Sequence, residues 1–217
     1  MGLARRNRID VTLGVPTRDP LGPGRHALGA HVLFVPADLP DGPLPLVVLL
    51  HGAGGNPTQV LAVMADEAED RKVLVLAPKS RGATWGAIRG DGAPDAAAIA
   101  ETLARAAERF SLDEARLAVA GFSDGASYAL ALGLANGALF RHVLAFAPGF
   151  VPGDERAGRP AIFISHGLYD RVLPIDRCSR QLVPALRAAG YAVTYREFDG
   201  GHAAPRPLVA AALDTLV

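Results

Sequence analysis

Five residues, Gly121-Phe122-Ser123-Asp124-Gly125, set the tightest limit on what this chain can fold into. They lie between an apolar run at 117–120 and a small-residue run at 126–135, the first reading as a strand and the second as a helix. Glycine two places to either side of a serine, with a strand before and a helix behind, describes a chain reversal too tight for side chains at those two positions. The serine at its apex is held in a strained backbone conformation and stands exposed. A serine hydroxyl is a weak nucleophile, so a reactive Ser123 needs a base from elsewhere in the chain.

The rest of the chain alternates in the same way. Runs at 31–35, 46–50, 73–77, 116–120, 142–147, 160–165 and 192–198 read as strands, and 46–50 is apolar throughout, as in a strand buried on both faces of a parallel sheet. Between them, helices are expected from Pro57 to about Arg71, with Asn56 as N-cap, over 94–110, over 124–135, over 175–189 and from about Pro207. In the second of these, Ile99, Leu103, Ala106 and Phe110 fall on one face. This rhythm predicts a three-layer α/β/α sandwich around a mostly parallel sheet. Residues 1–29, rich in Gly, Pro and Arg, read as an irregular entry with a short edge strand near 9–13, and 30–217 as the folded unit of a single-domain chain.

Composition narrows the partners. The 217 residues carry 22 Lys+Arg against 22 Asp+Glu, with no basic run interleaved with aromatics, which argues against nucleic acid or an anionic membrane surface and for a small neutral substrate. Cys178 is the single cysteine, so neither an intrachain disulfide nor a thiolate metal cluster can form. His and carboxylate residues do not cluster at ligand spacing, and neither metal nor cofactor is expected. Arg5, Arg6 and Arg8 are followed by Asp10, Pro16 and Asp19 where a signal peptide needs an apolar stretch, and no window is long enough for a membrane span. These features predict a soluble, cytoplasmic protein.

In an open α/β sheet, function gathers just beyond the carboxyl ends of the strands. Three such places carry chemistry: Ser123 on its turn, Asp170 in the loop after the strand at 160–165, and His202 in the glycine-bearing loop after the last strand. Their order, Ser then Asp then His, is that of one class of nucleophile–acid–base triad. Asp154, Asp176 and Asp199 compete for the acid, but Asp176 reads as a helix cap and Asp199 sits too close to His202 in sequence. Among the rival histidines, His142 begins a strand, while His51 and His166 precede glycines at strand ends and read as structural.

With these motifs in place (LLHGAGGN, GFSDG, HGLYDRVLP and GGH), residues 30–217 resemble the α/β-hydrolase superfamily. Within it they look like the lid-less phospholipase/carboxylesterase group of serine esterases, with similarity to polyhydroxyalkanoate-depolymerase and feruloyl-esterase-like members. The resemblance implies a carboxylesterase working through an acyl-enzyme, with Ser123 as nucleophile, His202 as general base and acid, and Asp170 orienting the imidazole. It implies oxyanion donors at the backbone N–H of Asp124 and of Ala53 in the His51-Gly-Ala turn. The side chain of Asp124 reads only as an acid in a first helical turn. Asp124 and Ala126 stand where that carboxylesterase group commonly has Gln and a second Gly, which leaves the subfamily open.

Trp85, in a loop after a strand, is a candidate pocket wall or ordinary core; Leu168 and Tyr169, beside the acid, are candidate substrate contacts. Only 148–159 separates the strand after the elbow helix from the next, which leaves no room for a helical cap and implies an open cleft suited to short acyl groups. Rival readings are a thioesterase or peptidase with the same triad, a dienelactone-type hydrolase (disfavoured by Ser rather than Cys at the elbow), and a non-catalytic binding protein on the same fold.

Overall fold

The computed structural model describes residues 7–216. Eight strands form one sheet: β1 (Gly24–Leu28), β2 (His31–Val35), β3 (Leu44–Leu50), β4 (Leu74–Ala77), β5 (Leu112–Phe122), β6 (His142–Phe146), β7 (Ala161–Gly167) and β8 (Val193–Phe198). Their spatial order is β1-β2-β4-β3-β5-β6-β7-β8. From β4 to β8 every neighbouring pair is parallel, while β1 and β2 form an antiparallel edge. The helices are α1 (Pro57–Arg71), α2 (Ala93–Ala107), α3 (Asp124–Ala135), α4 (Ser179–Ala188) and α5 (Arg206–Leu213). This is the expected three-layer arrangement.

Alternation along the strands sorts the core into two faces. Leu46, Val48 and Leu50 of β3 point into the layer filled by α2, α3 and α4, and Val47 and Leu49 into the layer filled by α1 and α5. All seven residues of β3 are buried, as its unbroken apolar run implies. Burying each such leucine is worth about 2 kcal/mol. The helix α3 behind Ser123 is buried from Gly125 to Ala135, which matches its run of Gly, Ala and Leu interrupted only by Ser127 and Tyr128. None of the described helices is long and apolar enough to cross a membrane.

Several elements differ from expectation. No strand forms over 9–13; instead Asn136, at the end of α3, accepts the Ile9 N–H through Oδ1 (2.8 Å) and donates through Nδ2 to the Asn7 carbonyl (2.6 Å). A side-chain amide thus takes the hydrogen bonds a neighbouring strand would need, and the edge strand appears later, at β1. Arg5 and Arg6 lie outside the described residues. The helix expected over 175–189 is broken at Cys178 (φ −117°, ψ −103°) into a 3-10 turn, Ile175–Arg177, and α4. Asp176 does not cap it but pairs with Arg180 at 2.7 Å.

Candidate active site

Ser123 sits between β5 and α3 with φ 59° and ψ −123°, a backbone region that L-residues avoid and that costs on the order of 1–3 kcal/mol. Its own N–H donates to the Phe146 carbonyl of β6 at 3.0 Å, pinning the turn to the sheet. A Cβ on Gly121 would lie 2.2 Å from the Gly125 carbonyl oxygen, so the first glycine lets the turn close on itself. A Cβ on Gly125 would lie 2.2 Å from the Leu50 oxygen and 2.6 Å from that of His51, so the second lets α3 meet the end of β3. The two glycines of the motif serve different contacts.

Asp170 and His202 come from neighbouring strand ends. A Cβ on Gly167 would fall 2.2 Å from the Gly201 oxygen, and the Leu168 and Tyr169 amides donate to Phe198 and Gly200, which fastens the loop after β7 to the loop after β8. The Asp170 side chain is fully buried. Its Oδ1 accepts the Val172 and Leu173 amides, both at 2.8 Å, and its Oδ2 accepts from His202 Nδ1 at 2.6 Å. Burial pushes the Asp170 carboxyl up, but the Leu173 amide, the His202 imidazole and the Val172 amide outweigh it and hold the group below the ordinary carboxylate range. An ionised acceptor on Nδ1 leaves Nε2 of His202 with its lone pair free.

The His202 ring packs on Phe122, the residue before Ser123, at 4.7 Å between centroids. The imidazole is thereby held beside the elbow, although among the described residues the Ser123 hydroxyl makes no hydrogen bond to it. The rival acids Asp154, Asp176 and Asp199 are all exposed. His142 lies at the opposite end of its strand. His166 is structural: Nε2 lies 2.8 Å from the Leu173 carbonyl and 3.2 Å from Asp170 Oδ2, and Nδ1 lies 2.7 Å from the Ser179 hydroxyl.

The turn after β3 stands against the nucleophile, since a Cβ on Gly52 would lie 3.3 Å from Ser123 Cβ. Gly54 adopts φ 68°, and Asn56 Oδ1 caps α1 by accepting the Gln59 amide at 3.0 Å. The Ala53 N–H has no hydrogen-bond partner among the described residues. Asp124 is the first residue of α3, where no helical carbonyl can reach its N–H. Two unpartnered amides thus flank Ser123, with the positive end of the α3 dipole behind one of them.

Trp85 is fully buried, which, of its two readings, fits ordinary core packing rather than a pocket wall. Its indole N–H donates to the His51 carbonyl at 2.7 Å, and its ring lies between those of His51 and Tyr128. A buried indole needs such an acceptor, and here it props the glycine turn from below. His51, also buried, accepts the Ser80 amide at Nε2 (3.1 Å) and holds the Gly52 carbonyl at Nδ1 (2.8 Å). Leu168 and Tyr169 are exposed, as are Phe150 and Val172, which the sequence did not single out. The carboxylate of Asp124 is not a bystander, because its Oδ2 accepts from Thr84 Oγ1 at 2.7 Å. Among the described residues no group of three His, Cys, Asp or Glu side chains could hold a metal ion.

Burial lowers the pKa of His31, His51, His142 and His166, so each is neutral in the fold and takes up its proton more readily in the unfolded chain. Their contribution to stability is present above the unfolded value of about 6.5 and is lost as pH falls below it toward the folded values. Asp170 adds a second loss, beginning near the unfolded carboxylate value of about 4 and completed as pH falls through its lower folded value. Thermal melts from pH 8 to pH 3 should show the midpoint falling first below about 6.5 and again below about 4. A midpoint unchanged between pH 7 and pH 5 would contradict the buried neutral histidines.

No family model matches the chain. Feruloyl esterase C of Emericella nidulans is 29% identical over 157 residues, a stretch covering 67% of this chain and 56% of that relative, so the chain spans about half the length of the curated relative it matches. Among solved structures, esterase PE8 superposes with a TM-score of 0.71 at 22% identity over 90% of this chain and 98% of that one. Thermogutta terrifontis esterase 2, phosphorylated by paraoxon, gives 0.72 at 17% over 91% and 95%. A thermostable esterase gives 0.62 at 28% over 78% of this chain and 50% of that one. What this chain shares with them is the α/β-hydrolase fold.

Proposed function

We propose that the chain is a serine esterase that hydrolyses carboxylic esters through an acyl-enzyme. His202 Nε2 takes the Ser123 proton as Oγ attacks the ester carbonyl, and returns it to the leaving alcohol. Asp170 keeps the second imidazole proton on Nδ1 and stabilises the imidazolium. The oxyanion is received by the Ala53 and Asp124 amides, each such donor being worth about 3 kcal/mol in the transition state. Water then attacks the acyl-enzyme by the same steps in reverse order.

The observation that carries this reading is the buried Asp170–His202 pair, 2.6 Å apart and stacked on Phe122, next to a strained serine flanked by two unpartnered amides. The names of the similar proteins, a feruloyl esterase and several esterases, are consistent with it. For the substrate we propose a short acyl group on an uncharged alcohol. Residues 147–160 connect β6 directly to β7 with no capping helix, and Phe150, Leu168, Tyr169 and Val172 are exposed in the loops after β6 and β7.

A series of p-nitrophenyl esters tests this. Turnover should be greatest for acetate to butyrate and flat or falling by octanoate. Activity that climbs steeply past octanoate, where each buried CH₂ adds about 0.8 kcal/mol, would replace the open cleft by a buried tunnel. Turnover of thioesters or amides with none of esters would favour a thioesterase or peptidase on the same triad.

A further inference from the structure

The segment joining β4 to α2 touches both halves of the proposed oxyanion site through consecutive residues. The Ala83 carbonyl accepts the Gly54 amide at 2.6 Å, next to Ala53; the Thr84 hydroxyl donates to Asp124 Oδ2 at 2.7 Å; and the Trp85 indole N–H reaches the His51 carbonyl. Lys79 Nζ adds a bond to the Gly55 carbonyl at 3.0 Å. The segment is itself clamped: the buried Asp95 carboxylate accepts the Arg81 amide at 3.0 Å and the Gly86 amide at 2.5 Å, and Ser80 Oγ donates to the Gly82 carbonyl.

We propose that Thr84 is a positioning residue that fixes the Asp124 amide relative to the Ala53 amide, acting through the Asp124 carboxylate. The inference rests on the oxyanion assignment above. Trp85, bonded to the His51 carbonyl and stacked on Tyr128, links the glycine turn to α3 deeper in the core, while Thr84 is the side chain that reaches Asp124 itself, and an oxyanion hole works only when both donors aim at one point. A hydroxyl bonded to a carboxylate is short and directional, so it sets the roll of the first turn of α3. It also ties the Asp124 negative charge to the Thr84 hydroxyl.

The test compares Thr84→Val, which keeps the shape and loses the donor, with Thr84→Ser, which keeps the donor. Thr84→Val should lower kcat on p-nitrophenyl acetate by about ten- to a hundredfold with KM unchanged, the scale of a small misplacement at the reacting centre. Thr84→Ser should restore most of that. Hydrogen exchange of peptides covering 51–56 and the first turn of α3 should be faster in Thr84→Val and near wild type in Thr84→Ser. Unchanged kcat and exchange in Thr84→Val, or Thr84→Ser as impaired as Thr84→Val, would overturn the inference, as would a lower melting temperature with kcat intact. Wild-type protein that turns over no ester would count against the esterase reading, and the exchange comparison would still decide whether the contact holds the two segments together.

Discussion

Ser123→Ala should abolish ester turnover, by about 10⁶-fold if Ser123 and His202 act as a unit, while leaving the fold intact. The substitution removes one hydroxyl that has no hydrogen bond among the described residues. The contact that seats the turn, Ser123 N–H to the Phe146 carbonyl, is backbone and survives. Alanine meets the same unfavourable φ of 59°, so the unfolding free energy should change by no more than a neutral substitution does, about 0.5 kcal/mol. Steady-state hydrolysis of p-nitrophenyl acetate and a thermal melt check both halves. Residual turnover near wild type would move the chemistry away from this serine.

Gly125→Ala should be strongly destabilising. The added carbon would sit 2.2 Å from the Leu50 carbonyl oxygen, which is backbone and cannot rotate away. Relief requires α3 to withdraw from β3, yet α3 is buried from Gly125 onward and β3 along its whole length. Overpacking of this kind costs about 3 kcal/mol or more, a large share of the 5–15 kcal/mol that holds a typical domain together. Denaturant unfolding of Gly125→Ala against Gly14→Ala, where nothing lies within 4 Å, isolates the effect. Equal midpoints for the two would mean that the elbow is looser than these contacts require.

The glycines, the apolar strands and the order Ser, Asp, His were legible in the sequence because each follows from local geometry or chain order. The β5 strand was read as 116–120 because the residues before it, Asp113-Glu114-Ala115, interrupt the apolar run; there Asp113 bonds the Ala115 amide and pairs with Arg116. The break at Cys178 was hidden because no Gly or Pro stands within 175–183 to mark it, whereas the break coincides with a long-range contact, His166 to Ser179. Trp85 was ambiguous for the same reason. A lone tryptophan after a strand looks alike on a pocket wall or beneath one, and only the His51 carbonyl, distant in sequence, decides for the core. The Thr84–Asp124 bond had no sequence signal, since both residues have ordinary local explanations. Phe150 and Val172 became visible only once the loops after β6 and β7 were seen to leave them exposed.

The most direct test of an activated serine is labelling of intact protein by a fluorophosphonate, read by mass spectrometry, on wild type, Ser123→Ala and His202→Ala. A single adduct on Ser123, absent in Ser123→Ala and formed far more slowly in His202→Ala, is the expected result. Well-folded wild type that takes no adduct, or takes it at another residue, would contradict the esterase reading and favour a protein that uses the α/β-hydrolase fold to bind.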